Sequence, residues 1–312
     1  MSIIELIMEG NSYNKESQMD HHFIPQFFLK EWEDEDSKII RYFKNKKGEI
    51  IEDKKNKKDI GYKKDLYKLN SHTFFPIKDS HTLERNFFQQ LDNDSALVKE
   101  KIIMDNGFNS LSENEKNTWS KFIHSLIERT PKQIEFLKSE SIRIGNKYKE
   151  KLSKDKINKN LTIKELGEKI FTKEFIQNES LGLLKRIIED IHWNQWFCNI
   201  LEWKIVVLPE NVSFFIIGDN PIIKNYGVNS TKIFSVALAI SPRLLFLAYE
   251  KEFEFTDDFI SKFVIMHNLQ IIMQSDCLVF SKYGLKDTPI IKYEKAMLES
   301  LRPIVIQKYN DE

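Results

Sequence analysis

The chain is 312 residues long, 41% hydrophobic and 30% charged, a composition that marks a globular protein rather than a disordered one. Its 47 basic and 47 acidic side chains cancel, which excludes a protein that coats nucleic acid by bulk charge and leaves room only for a local basic surface. Two cysteines without CxxC spacing, Cys198 and Cys277, exclude a disulfide scaffold or a cysteine-built zinc site.

The opening MSIIELIMEGNSYNKES is too short in its apolar run and too acidic for a secretory signal. No stretch reaches the roughly 18 uninterrupted apolar residues of a membrane span. A cytoplasmic protein with no membrane association is expected.

In chain order, DHHFIPQFFLKEW (20–32) predicts a short helix with Pro25 at its first position, burying Phe27, Phe28 and Trp32, with His21 and His22 just ahead of it. Residues 38–53 read as a hairpin around Lys46-Lys47-Gly48. The lysine-dense run that follows carries Lys63 and Lys64 beside Tyr62 and Tyr67. That pattern either contacts phosphate while stacking bases, or is a solvated loop with two packed tyrosines. A helix starts near Thr82 with Leu83, Phe87, Phe88 and Leu91 on one face. Capping boxes at Ser112–Glu115 and Thr162–Glu165 open two more helices, and Pro131 predicts a break just after Arg129. One long helical segment is expected from Ser180 to about Glu202, carrying Trp193, Trp196 and Trp203, with Trp193 and Trp196 on one face as core residues.

After residue 203, β-branched and aromatic runs predict strands, with a helix from Thr256 to about Gln270 among them. The fold class expected is α+β. The N-terminal hairpin and the β-rich C-terminal third share a sheet, because a lone hairpin needs partners, and a helical segment lies between them. One domain over 1–312 is expected, in parts 20–79, 80–203 and 204–312.

Five features carry candidate chemistry. Neighbouring His21 and His22 point in divergent directions in regular structure, so one serves as base or ligand and the other supports it, or both merely pack. Arg129 is placed to clamp a phosphate or carboxylate, or to pair with a structural acid. Glu84 and Asp92, eight residues apart, share a helix face. Asp219-Asn220, before Pro221, is either an acid or ligand at a strand end or an Asx turn. His267-Asn268 interrupts an apolar helix face, where a buried hydrogen-bonding role is expected.

In order and spacing these segments resemble the bacterial family catalogued as domain of unknown function 4238. That family's pattern is His-His-aromatic-x-Pro-x-x-aromatic-Leu, then Arg-x-Pro, then Ser-Asp-x-Pro, then a Ser-Pro segment. His21, His22, Pro25, Leu29, Glu84, Arg129, Pro131, Asp219, Pro221, Ser241 and Pro242 match. Gly218 stands where Ser is usual, and Asp92 where Glu is common. DHHFIP also resembles the Asp-His-x-x-Pro strand of HNH nucleases, but the Asn and His expected downstream are not evident.

The resulting expectation is a hydrolase acting on nucleic acid or nucleotides, in a phage-defence or toxin setting. His21 or His22 would be the base and Arg129 the group that stabilises phosphoryl charge. A divalent Mg2+ or Mn2+ would be held by Asp219 with Glu84 or Asp92, and Gln26, Asn220, Lys63 and Lys64 would contact substrate. The alternatives are a non-catalytic ligand-binding or sensing module and a polar network that only locks the fold.

Overall fold

Gly48, at φ +82°, closes the predicted hairpin, and its N–H donates to the Asn45 carbonyl at 2.9 Å. The Asn45 side chain accepts from the Lys47 and Glu49 amides, so the turn is organised by its own residues. The computed structural model describes residues 18–71, 77–154, 171–210, 212–224, 235–250 and 257–284. The hairpin strands are β2 (Ile39–Lys44) and β3 (Ile50–Lys55). They join β10 (Leu278–Ser281) and β6 (Ile217–Gly218) in a sheet of order β3-β2-β10-β6. Strands from the two ends of the chain thus share one sheet, and β10 pairs β2 antiparallel with Leu278 opposite Phe43.

A second antiparallel sheet has the order β5-β9-β8-β7, from Glu202–Val207, Leu244–Tyr249, Ser235–Ala239 and Ile223–Lys224. Both central strands, β8 and β9, are buried almost throughout, so they read as continuous apolar runs rather than alternating ones. The Ser241 hydroxyl accepts from the amides of Arg243 and Leu244, which fixes the tight turn at Ser241-Pro242. A short ladder pairs β1 (Asp20–His22) with β4 (Tyr62–Lys64).

The helical middle follows its local signals where those signals are local. Ser112 and Glu115 form the reciprocal capping box, the Ser112 amide donating to Glu115 Oε2 at 2.9 Å and the Glu115 amide to Ser112 Oγ at 3.3 Å. The helix they open, Glu113–Glu128, stops before Arg129, and the next starts at Pro131 and runs to Lys154. The helix predicted from Thr82 contains a π-helical stretch, Glu84–Phe88, and continues as Gln89–Asp105. The capping box at Thr162 and the start of the helix at Thr256 lie outside the described residues; that helix is described over Asp257–Gln274.

Two expectations are corrected. Pro25 is the N-cap, at ψ 145°, of a single turn, Gln26–Leu29, that tightens into a 3-10 turn at Lys30–Trp32. Phe28 and Trp32 are fully buried, so apolar docking rather than helix length holds this turn. The long tryptophan helix is two helices, Lys173–Ile188 and Ile191–Asn199, broken at Glu189-Asp190. The first begins at Thr172, whose hydroxyl accepts the Phe175 amide, and Trp203 lies on β5 with its indole N–H on the Phe197 carbonyl.

By contact density the chain divides into two units. One comprises residues up to His21, Lys63–Asn93 and Glu128–Asp190, and the other His22–Tyr62, Asp94–Ile127 and Ile191 onward. Both four-stranded sheets belong to the second unit. Its core joins Phe28, Trp119, Phe122, Phe197, Phe215 and Phe246, all fully buried. His267 and Asn268 belong there too. Asn268 accepts the Ile216 amide and donates to the Phe214 carbonyl, and His267, fully buried against Phe215, is held neutral by burial with its pKa down at about 3. Among the described residues no helix is long and apolar enough to cross a membrane.

Gly218 is required by a contact rather than by its backbone angle. A Cβ there would lie 1.8 Å from Ser275 Oγ and 3.1 Å from Ser275 Cβ. The space a side chain at 218 would fill is taken by the Ser275 hydroxyl, which donates to the Ile271 carbonyl at 2.7 Å. Gly218→Ser should therefore cost about 2–3 kcal/mol by overpacking. Combining it with Ser275→Ala should recover most of that loss. Urea midpoints of the two singles and the double measure the coupling, and additive losses would refute the contact.

Candidate functional site

β1 separates its two histidines because successive strand residues face opposite ways. His22 is half-buried and packs on Tyr62, ring centroids 5.6 Å apart, within the second unit. His21 is fully buried in the first unit, stacked on Tyr67 at 5.3 Å and edge-on to His81 at 5.1 Å. Nothing in this arrangement depends on a helix N-terminus, since the helix after Pro25 is a single turn.

His21 bonds through both ring nitrogens. The Tyr67 amide donates to its Nδ1 at 2.8 Å, and its Nε2 lies 2.9 Å from His81 Nδ1. On the far side His81 Nε2 faces Asp65 Oδ1 at 4.0 Å. Asp65 has φ +57°, a left-handed conformation that Asp tolerates better than most residues. It is held there by a reciprocal pair with Met19: its amide donates to the Met19 carbonyl at 2.9 Å and its Oδ1 accepts the Met19 amide at 3.0 Å. The ligand-capable atoms of His21, Asp65 and His81 lie within 4.8 Å of one another, so the same trio is the set on which a metal fit must be judged.

Cations surround this trio. Lys68 lies 3.8 Å from Asp65, Arg85 binds Asp79 at 2.8 Å, and Lys138 donates to the Leu66 carbonyl at 3.0 Å. Burial, then the neighbouring His81, push the His21 pKa down to about 3, with Lys138 and Arg85 adding to the effect and Asp65 opposing it. His21 is a neutral imidazole at physiological pH.

The predicted Arg129 and Asp92 are brought together beside this cluster. Arg129 is fully buried and its Nη1 donates to both Asp92 oxygens, at 2.9 and 3.2 Å, so it clamps an internal carboxylate. Burial outweighs that cation and lifts Asp92 to about 6; 18% of its side chain remains exposed, so solvent offsets part of the rise. The Tyr67 hydroxyl donates to the Arg129 carbonyl at 2.9 Å, and burial holds its pKa well above the ordinary phenol value. Glu84, buried in the π-helical stretch, acts electrostatically on the same phenol.

The remaining predicted residues lie elsewhere. Asp219 is in the second unit, where its two oxygens accept the amides of Asp276, Cys277 and Leu278 at 2.7–3.0 Å; it therefore belongs to a different unit from Glu84 and Asp92. Asn220 is half-buried, and its carbonyl accepts from Gln274. Gln26 is exposed in the second unit. Lys63 is exposed and pairs with Glu135 at 2.6 Å, and Lys64 ends β4. Tyr67 is buried, so its ring is not a stacking platform.

Sequence reading missed His81 and Asp65, and weighed Tyr67 only as a base-stacking or packed ring. Two signals were available: an Asp in the Lys-Lys-Asp-Leu-Tyr turn, a residue type suited to φ above zero, and Asp79-Ser80-His81 ahead of a helix start. Asp79 Oδ1 in fact accepts the His81 amide at 2.9 Å and so presents the imidazole.

No curated protein and no solved structure matches the chain. The model of the family described as "Protein of unknown function (DUF4238)" matches residues 20–283, from β1 through β10, and the chain belongs to that family.

Proposed function

We propose that the His21–His81–Asp65 centre is the working site of a hydrolase that acts on phosphate esters, in nucleic acid or in nucleotides. One observation carries this reading: the neutral imidazole of His21 bonds to His81, which faces a carboxylate held in a left-handed turn, with Lys68, Arg85 and Lys138 around it. Strained backbone at a titratable group is common where chemistry is done. An acid–base pair inside a cationic rim is what cleavage of a phosphate ester needs. Asp65 and Arg85 keep 25% and 31% of their side-chain surface exposed, so substrate would approach from their side.

A second reading is favoured by one fact, the near-complete burial of the His81 side chain. A centre so enclosed suits a module that binds a phosphate-bearing ligand without turning it over.

The test is turnover of labelled single- and double-stranded oligonucleotides and a nucleotide panel, each with Mg2+, Mn2+ or EDTA. Asp65→Asn keeps a residue tolerant of φ above zero and an acceptor for Met19, so it should fold. It should lower turnover at least about 100-fold, the scale of a lost general acid or base. Ligand-induced thermal stabilisation without product selects the binding module. Neither turnover nor stabilisation rejects both readings.

A further inference from the structure

We propose that the protons of this centre are ordered in one direction, so that Asp65 is the base and His81 a neutral donor that holds the attacking water; this rests on the hydrolytic reading above. The order starts at a group that has no choice. The Tyr67 backbone N–H can only donate, and it donates to His21 Nδ1. That nitrogen must carry a lone pair, so neutral His21 has its proton on Nε2. Nε2 then donates to His81 Nδ1, 2.9 Å away. His81 Nδ1 is thereby an acceptor, and its own proton sits on Nε2, directed at Asp65.

Two consequences follow. A second proton on either ring would set two N–H groups face to face, at Tyr67–His21 or at His21–His81, and so would break the wiring. Burial of His21 disfavours its charged form in the same direction. Metal ligation fails on the same ground. A ligating histidine keeps a proton on its other nitrogen. For His21 that other nitrogen would be Nδ1, which already faces the Tyr67 N–H. The trio is a proton-ordered relay rather than a metal site.

The 4.0 Å between His81 Nε2 and Asp65 Oδ1 is too long for a direct bond. A water about 2.8 Å from each, subtending about 90°, spans it. Such a water accepts from His81 and donates to Asp65. In the reaction its oxygen bonds to phosphorus while its proton passes to Asp65 Oδ1. The phosphorus–ester oxygen bond breaks, its electron pair leaves on that oxygen, and that oxygen takes a proton from solvent. Asp65 then returns its proton to solvent.

The decisive experiment is side-chain 15N NMR of the full chain with labelled histidine, one of only seven such residues in the sequence. His21 and His81 should both show the proton on Nε2, unchanged by one equivalent of Zn2+ or Mn2+ and unchanged in Asp65→Asn. A proton on Nδ1 of either ring, or both signals shifting with one equivalent of metal, overturns the relay. Turnover should fall at least about 100-fold in Asp65→Asn; a loss of less than about threefold overturns the base assignment. Because the tautomers are read without substrate, the two failures are distinguishable. A wild type with no turnover rejects the base assignment together with the hydrolytic reading, and the proton order then stands or falls on the NMR alone.

Discussion

Arg129→Met should destabilise the protein by about 3 kcal/mol, the lower end of what breaking a buried ion pair costs. The substitution keeps much of the side-chain volume and the packing against Phe88, 5.5 Å from the guanidinium carbon, but removes the cation that Asp92 faces. Asp92 is already pushed up to about 6 by burial, and without Arg129 its carboxyl stays protonated to still higher pH. Its 18% exposure lets water relieve part of the loss, which is why the lower end is expected. Replacing both partners, Arg129→Met with Asp92→Leu, should recover most of the stability, because two apolar groups leave no charge stranded. Urea unfolding of the two single variants and the double reads this directly. If Arg129→Met leaves the midpoint unmoved and removes only activity, Arg129 is a substrate clamp and not an internal strut.

Local signals were legible in the sequence, and long-range partnerships were not. The Ser112–Glu115 box, the break between Arg129 and Pro131 and the Gly48 hairpin each depend on residues within a few positions of one another. The shared sheet was legible for another reason: a hairpin with an apolar face has to find strands, and β-rich runs lay only at the far end of the chain. The tryptophan helix was overdrawn because apolar spacing runs through Glu189-Asp190, where two helices meet, and because Trp203 continues the spacing of Trp193 and Trp196 although its strand pairs with β9. At the site, the divergence of His21 and His22 followed from strand geometry, and the Arg129 pairing was anticipated only as one of two options. His81 lies 60 positions from His21, and nothing in the spacing of either reveals that they meet. The weight placed on motif residues drew attention to Asp219 and away from Asp65.

In chemical terms Asp219 and Asp65 are opposites. Asp219 is saturated by three amides, whereas Asp65 accepts the Met19 amide on Oδ1 and turns that same oxygen toward an imidazole 4.0 Å away, with Lys68 at 3.8 Å from Oδ2. A saturated carboxylate is built for structure, whereas a partly engaged one at an accessible edge is built for exchange. A similar contrast separates two of the buried histidines, His267 and His21. His267 packs edge-on against Phe215 in the apolar core, whereas His21 joins the Tyr67 amide to a second imidazole.

Asp219→Ala should cost about 3–5 kcal/mol, because it strands three part-buried amides at the entry to β10, each worth about 1–3 kcal/mol when unsatisfied, with partial relief by water. β10 is a central strand of its sheet, between β2 and β6, so misplacing its first residue disturbs both ladders. Asp219→Asn keeps one acceptor oxygen and should be milder, and it exposes a pH effect that the native protein conceals. Burial raises Asp219 from 3.8 to about 6. A raised carboxylate pKa gives stability that is full below 3.8 and lost as pH rises through about 6. His267, in the same unit, falls from 6.5 to about 3, so its contribution is full above 6.5 and lost as pH falls toward 3. Between about pH 6 and 4 the folded unit carries one extra proton on Asp219 and the unfolded chain one extra on His267, and the two slopes of about 1.4 kcal/mol per pH unit cancel. Asp219→Asn removes only the first slope. Relative to the native chain, the variant should therefore lose about a further 3 kcal/mol between pH 6 and 4. Urea midpoints at pH 4, 5, 6 and 7 test this. A variant whose curve runs parallel to the native one would show that the carboxyl of Asp219 does not take up a proton in the folded state.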